Sequence, residues 1–444
     1  MDYVNVIGAG LAGCEAAYQL SKRGVPVRLF EMKPKKFSPA HSNKNFAELV
    51  CSNSLRSNSI ENAVGILKKE LEIAGSLIIE AAYKTMLPAG SALAVDRDKF
   101  AEYITEKIRS QDNIEIIEEE VTSINEAEIN IIATGPLTSE GLQGEIKRLI
   151  GEDYLFFFDA AAPIISTESI DFDTAFYASR YDKGGKDYIN CPMTKEEYEI
   201  FYEELISAQT IKLHDFEQDF INKNVFEGCM PVEVMAKRGF NALLFGPMKP
   251  VGLIDERTQN RPFAVVQLRQ DNDEKTMYNI VGFQTNLTFG EQKRIFSLIP
   301  SLKNCEFLRY GVMHKNTFIN SPKLLTNTYN LRRNPNIYFA GQITGVEGYI
   351  ESTSSGFAAG IDCAGKILSG QKIAFPKNTA IGALSHYISD ESVGKFQPMN
   401  INFGIIEYPQ EKIKGGKKIV KQRIAEKSFE FMQNFVKNNF IKNT

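Results

Sequence analysis

Tyr3-Val4-Asn5-Val6-Ile7-Gly8-Ala9-Gly10-Leu11-Ala12-Gly13 is a short apolar run that passes directly into three glycines at fixed spacing. The run predicts a buried strand over 3–7, then a tight turn, then a helix from about Leu11 to Arg23. In that context each glycine has a task. Gly8 permits the turn, Gly10 lets the backbone approach a pyrophosphate, and Gly13 lets helix and strand pack closely, so Gly8, Ala9, Gly10, Leu11, Ala12 and Gly13 form a candidate phosphate cradle at a helix N-terminus. A second strand, Val25 to Phe30, ends at Glu31, 18 positions after Gly13. A carboxylate there can accept hydrogen bonds from ribose hydroxyls. Strand, turn, helix, strand and acid in this order predict a dinucleotide site.

Two later stretches decide which dinucleotide. Glu128 to Ile132 is an apolar strand ending in Ala133-Thr134-Gly135, and it resembles the returning strand of two-dinucleotide-fold flavoproteins. Asn336 to Gly341 is another short strand, followed by Gln342 to Tyr349 and a small-residue helix over Ser352 to Leu368. In that class of flavoprotein the chain comes back there to meet the flavin, so Gly135, Gly341 and Tyr349 join the candidate cofactor site and FAD is expected. No second GxGxxG is present for NADH or NADPH. A reduced nicotinamide would bind transiently.

The chain is 444 residues, long enough for two or three packed units. Hydrophobic residues at 43% and charged residues at 24% exclude a disordered or fibrous chain. No apolar run reaches the ~18 residues a bilayer span needs, and the N-terminus lacks a basic segment followed by an apolar one, so a cytoplasmic protein with no membrane partner is expected. The net charge of −4 conceals an uneven distribution: Glu411 to Thr444 holds nine basic and three acidic residues, which leaves the remainder at −10. There Ile419, Val420, Ile424, Phe431 and Phe435 recur at roughly helical spacing, predicting an amphipathic helix. Its basic side, with Lys417, Lys418, Lys421 and Arg423, is either a solvated face or a nucleic-acid contact.

The six cysteines never come closer than 37 positions, so local spacing gives no redox pair and no zinc site. Cys14, Cys191, Cys305 and Cys363 read as small buried hydrophobes. Cys51, in Glu48-Leu-Val-Cys51-Ser-Asn53-Ser-Leu-Arg56, and Cys229, in Gly228-Cys229-Met-Pro231, sit instead among turn formers, and Arg56 is positioned in sequence to favour a Cys51 thiolate. The four histidines form no metal or triad pattern, and no metal is expected. His314, in the polar loop Arg309 to Thr317, is the one histidine that is a candidate for lining the site.

Taken together, the segments 8–20, 48–59, 87–100, 226–236, 245–253, 309–322, 339–356 and 396–406 resemble the folate- and FAD-dependent tRNA (uracil-5-)-methyltransferases over nearly the whole chain. The wobble-uridine flavoproteins are similar at the N-terminus but carry a long helical extension for which this chain is too short. The resemblance implies an α/β fold: a two-dinucleotide-type FAD-binding Rossmann domain at 1–93 and 325–444, with a smaller mixed domain inserted at 94–324 and part of the flavin sheet returning near 128–135. It also implies methylenetetrahydrofolate as carbon donor, NADH or NADPH as reductant, and uridine 54 of the tRNA T-loop as acceptor. A 23S rRNA uridine, or an inactive flavin-bearing RNA-binding paralogue, are the alternatives.

The implied chemistry accounts for the two cysteines. Uracil C5 attacks an electrophilic methylene only after a thiolate adds at C6, and afterwards the C5 proton must leave and the exocyclic methylene must accept a hydride. By match to the family motifs Cys229 is assigned to C6 and Cys51 to proton removal or handling of the methylene, with the reverse division as the alternative. Tyr349 and His314 are placed by the same resemblance near the flavin and folate rings.

Overall fold

The computed structural model describes residues 3–152, 154–182, 185–211, 230–255, 258–394, 396–408 and 416–440. Its central element is a five-stranded parallel sheet in the order Ile337–Phe339, Asn130–Ile132, Val4–Ile7, Val27–Phe30, Ile114–Ile117. Every residue of the Val4–Ile7 strand is buried, as expected of a parallel strand covered on both faces. It pairs in register with Val27–Phe30 on one side and with Asn130–Ile132 on the other, so both the glycine turn after Ile7 and the Ala133-Thr134-Gly135 turn leave from the same edge. The helices Leu11–Ser21 and Tyr349–Ser369 pack on each other over this sheet. The fold is the α/β Rossmann-type arrangement expected.

A second sheet of six strands runs Phe176–Ala178, Tyr188–Met193, Ala264–Gln270, Met277–Ile280, Ile164–Ser166, Phe307–Arg309, all pairs antiparallel. A two-stranded ribbon of Leu155–Ala160 and Met313–Phe318 lies where the chain leaves the first unit and returns to it. Two separate hydrophobic cores follow this division. The first takes in Phe100, Ile104, Ile108, Leu142, Ile146 and Ile150, and resumes at Phe318. The second draws on residues between Ile165 and Cys305. The first core therefore includes residues between 94 and 150 that the bounds 1–93 and 325–444 leave out. The physical reason is the Ile114–Ile117 strand, which hydrogen-bonds parallel to Val27–Phe30, and the preceding helix Arg97–Arg109, whose apolar side is buried in the same core.

The C-terminal helix Lys417–Phe440 buries Ile424, Ala425 and Met432 against the helix Ala63–Ile73, with Val420, Phe431 and Phe435 partly covered. Ile419, expected on the packed side, is 51% exposed. Glu70 of the Ala63–Ile73 helix is fully buried and accepts bonds from the amides of Ala380 and Ile381 at 2.6 and 2.9 Å and from the Ser428 hydroxyl, tying three helices together.

Candidate cofactor and active site

At the end of the first strand Gly8 has φ +100°, a conformation that side chains rarely adopt, and a Cβ on Gly13 would lie 1.8 Å from the Gly8 carbonyl oxygen. A Cβ on Gly10, in contrast, would meet nothing within 4 Å. Gly10 is the N-cap of the Leu11–Ser21 helix and supplies no side-chain cap, which leaves the first amides of that helix facing an open cavity. The Glu31 carboxylate, almost wholly buried, accepts the Ala9 amide at 2.9 Å and the Lys33 amide at 3.0 Å, and this fixes it at the cavity wall.

The cavity runs past Gly8, Ala9, Gly10, Leu11, Ala12 and Glu31 to Gly135, Gly341 and Tyr349. Nine of the ten residues expected to hold the cofactor thus line one cavity; Gly13 serves instead in helix–strand packing. An open approach at Gly10, uncapped amides and a fixed carboxylate are the donor and acceptor set a dinucleotide requires, so these residues fit FAD. Sequence reading missed Lys33, Ser38, His41, Glu48 and Ser352 on the same wall. Lys33 is buried, with its ammonium on the Asn43 carbonyl and near Glu48. Burial, then the Lys33 charge, holds the His41 imidazole below its usual range, and His41 Nδ1 meets Ser38 Oγ at 2.5 Å.

Cys51 follows Val50, which lines this cavity, in a loop held from both units. The Cys51 and Ser52 amides donate to the Tyr349 hydroxyl at 2.9 and 3.2 Å, and the partly exposed thiol lies 3.8 Å from the Ala160 carbonyl oxygen. From the second sheet, buried Arg269 donates to Ser52 Oγ at 2.7 Å and to Asn53 Oδ1 at 2.9 Å, while Asn53 donates to the Val95 and Gln270 carbonyls. Arg97 donates to the Leu49 carbonyl at 2.7 Å and pairs with Asp271 at 3.0 Å. Both guanidiniums interact electrostatically with Cys51. Arg56 does not take the role its sequence position suggested: it pairs with buried Glu351. Burial, then the neighbouring Cys51, pushes the Tyr349 phenol up, so it keeps its proton.

Cys229 lies outside the described residues, as do the side chains of His314 and Lys417. The segment immediately after Cys229 is described and well anchored. The Val232 amide donates to the Gln284 carbonyl at 2.7 Å, and buried Glu233 accepts from Thr285 Oγ1 at 2.9 Å and the Asn286 amide at 2.8 Å. Thr285 in turn abuts Gly311, which abuts Ala161, next to the Ala160 carbonyl that Cys51 touches. The His314 backbone pairs with Asp159 in the adjoining ribbon. Cys191 and Cys305 are buried in the second core, and burial pushes the Cys191 thiol up to about 12.

On the C-terminal helix, Lys418 pairs with Glu61 at 2.6 Å and Arg423 with Glu426 at 3.0 Å, while Lys421 lies over the Phe403 ring at 4.6 Å. Among the described residues no group of three or more His, Cys, Asp or Glu could hold a metal ion, and no helix is long and apolar enough to cross a membrane.

Residues 3–371 match the family model described as glucose inhibited division protein A. The chain is 62% identical over 418 residues to a methylenetetrahydrofolate–tRNA-(uracil-5-)-methyltransferase TrmFO of Acetivibrio thermocellus, covering 94% of this chain and 95% of that one. A protein of the same name from Natranaerobius thermophilus is 55% identical over 433 residues, 98% of this chain and 99% of that one. Among solved structures, Aquifex aeolicus GidA superposes with a TM-score of 0.69 at 16% identity, covering 97% of this chain and 73% of that one, a likeness of fold.

Proposed function

The chain belongs to the glucose-inhibited division protein A family, among its methylenetetrahydrofolate–tRNA-(uracil-5-)-methyltransferases, and from that membership we propose how its residues carry out the reaction. It methylates C5 of a tRNA uridine, taking the carbon from methylenetetrahydrofolate. The acceptor we assign is uridine 54 of the T-loop, and the reductant is NADH or NADPH, bound transiently. The first core and its sheet form the FAD-binding domain, and the second core is the inserted domain.

The observation that carries the site assignment is the meeting of Cys51, Tyr349 and the dinucleotide cavity. The amides and Glu31 around Gly8–Ala12 would hold the dinucleotide's phosphates and ribose, which leaves the wall at Tyr349, to which the Cys51 loop is tied, for the ring that reacts. When bound there, FAD supplies hydride chemistry. Tyr349 orients the Cys51 loop through two amides and retains a phenolic proton to donate. Arg97 and Arg269 hold the loop of Cys51 through the Leu49 carbonyl, Ser52 and Asn53, and Cys51 is assigned to removal of the C5 proton. Cys229 is assigned to addition at C6, and His314 to the folate side. The C-terminal helix contributes accessory phosphate contacts through Lys417, Lys418, Lys421 and Arg423.

The test is to supply the purified protein with FAD, methylenetetrahydrofolate carrying a labelled methylene, NADPH and unmodified tRNA or 23S rRNA. Label in 5-methyluridine of tRNA is expected. Label only in rRNA, or in neither, overturns the assignment.

A further inference from the structure

Three arginines stand where the two units meet beside the Cys51 loop, and their partners differ. Arg97 is paired with Asp271 at 3.0 Å, and Arg269 gives its bonds to Ser52 Oγ and Asn53 Oδ1. Arg309, at the end of the Phe307–Arg309 strand of the second sheet, reaches across to the first unit, where its Nη2 donates to the Ala40 carbonyl at 3.1 Å. Among the described residues its side chain makes no other hydrogen bond and no ion pair, which leaves most of the guanidinium's donors unengaged. The strand end that carries it is firmly held. Phe307 and Arg309 pair with the adjacent residues Ile165 and Ile164, a register shift of the kind that re-aims a side chain. Phe307 stacks on Tyr310 at 5.0 Å and Tyr310 on Phe289 at 4.7 Å, while the Gln292 side chain accepts the Gly311 amide and donates to its carbonyl, both at 2.8 Å.

Two acids are within electrostatic reach of Arg309, Glu48 and Asp271, and both are already engaged. Glu48 faces Lys33 at 3.8 Å and accepts the Ser42 and Asn43 amides at 3.0 and 3.1 Å, and Asp271 faces Arg97. Neither is left over for Arg309. Burial, then the Arg97 charge, pulls its guanidinium below the ordinary value in spite of both carboxylates. A half-buried cation without an acid of its own is costly, and a ligand's anion relieves that cost. The place is the wall of the cofactor cavity: His41, Glu48 and Tyr349 line it, and Ala40, which Arg309 holds, precedes His41.

We propose that Arg309 binds a carboxylate of the glutamyl tail of the folate, so that the tail lies in the seam between the two units. The inference rests on the folate-dependent reading and adds to it the residue that recognises the carbon donor's charged end. The pterin and the aminobenzoyl ring of tetrahydrofolate are uncharged at neutral pH, so its glutamyl carboxylates are the groups for which a fixed cation can select. A guanidinium suits them because its planar fork can give a carboxylate two parallel hydrogen bonds. RNA phosphate is the other anion that the reaction brings. A half-buried group between two units, at a cavity wall, favours a slender flexible tail over the backbone of a folded RNA.

The test compares tetrahydrofolate with its α,γ-diamide, which keeps the tail and removes both charges. Binding to the FAD-loaded protein is measured by anaerobic calorimetry, without RNA or nicotinamide, for wild type, Arg309→Gln and Arg309→Lys, with bound FAD as the check on folding. Wild type should bind tetrahydrofolate about ten- to a hundredfold more tightly than the diamide, the range of a hydrogen bond to a charged group. Arg309→Gln should make the two ligands nearly equal by weakening tetrahydrofolate alone. Arg309→Lys should recover part of the difference, since an ammonium keeps the charge and loses the fork. Wild type that binds both ligands equally overturns the proposal. So does an Arg309→Gln protein that weakens both alike, the sign of a loosened site, or that keeps the wild-type ratio and lowers tRNA affinity instead, which would make Arg309 a phosphate contact. If Arg309→Gln fails to hold FAD, the Arg309→Lys ratio decides, and a wild-type ratio there overturns the proposal as well. Because binding is read without methyl transfer, a protein that selects the charged tail through Arg309 but methylates no RNA would sink the methyltransferase reading and leave this site standing.

Discussion

The hydroxyl of Tyr349 accepts the backbone amide of Cys51 at 2.9 Å, across 298 positions of sequence. One phenol thus anchors the loop of Cys51 to the start of the helix Tyr349–Ser369, whose first residue lines the cofactor cavity. Tyr349→Phe keeps the ring and deletes the acceptor, leaving the Cys51 and Ser52 amides without it. A stability loss of about 1 to 2 kcal/mol is expected by chemical denaturation. Turnover should fall by an order of magnitude or more while tRNA affinity stays as it was. A variant with wild-type turnover would show that the bond does not position Cys51.

Gly10→Val should give a folded, colourless protein. The added Cβ meets no protein atom within 4 Å, so circular dichroism and melting should be close to wild type, while the side-chain-free approach to the cradle is lost. Retention of stoichiometric FAD in this variant would move the pyrophosphate away from the turn.

Cys51→Ala and Cys229→Ala should each abolish methylation and keep FAD. Cys191→Ala and Cys305→Ala should retain methylation and pay in stability, since both thiols are buried in the second core. RNA carrying 5-fluorouridine should form a covalent adduct that one of the first two substitutions eliminates, because fluorine at C5 blocks the proton loss that frees C6. Full turnover by both Cys51→Ala and Cys229→Ala would reduce them to structural residues.

Glu70 gives a pH signature to folding. Burial pushes its carboxyl up to about 7, against hydrogen bonds from Ser428, Ala380 and Ile381 that pull it down. A carboxyl whose folded value is raised binds its proton more tightly folded than unfolded, so its contribution is fully present below the unfolded value and is lost as pH rises through about 7. Stability measured by denaturant should therefore decline between about pH 4.5 and 7, and Glu70→Gln should flatten that interval. An unchanged slope in Glu70→Gln would assign the decline to other groups.

Neutralising Lys417, Lys418, Lys421 and Arg423 together should weaken RNA binding alike for cognate and non-cognate sequences, with a salt slope reduced by about one. The expected change is small because Lys418 and Arg423 are paired with Glu61 and Glu426 and would have to give them up to reach a phosphate. A slope reduced by three or more would make this helix the main phosphate contact.

The cofactor half of the site was legible because it is built from local grammar. Gly8 to Gly13 and Glu31 are set by one strand–turn–helix–strand unit, and parallel pairing then brings Gly135 and Gly341 to the same sheet edge. The surroundings of Cys51 were not legible, because they are made by residues that only folding brings together. Arg56, five positions from Cys51, turns to Glu351, whereas Arg97 and Arg269 arrive from a helix and from the second sheet. The strand Ile114–Ile117 was likewise hidden: Ile-Glu-Ile-Ile carries no signal for which sheet it joins, and its pairing with Val27–Phe30 is what carries the first core past residue 93.

Leu155 and Phe318 are cross-strand partners in the ribbon through which the chain leaves and re-enters the first unit. Directly opposed antiparallel residues have Cα atoms about 5 Å apart. Excising everything between them would leave two ends that a tight turn can splice, with the parallel sheet and its glycine cradle uncut. The same closeness makes this ribbon a seam at which the length of the inserted unit can change between descendants without disturbing the nucleotide-holding scaffold that receives it.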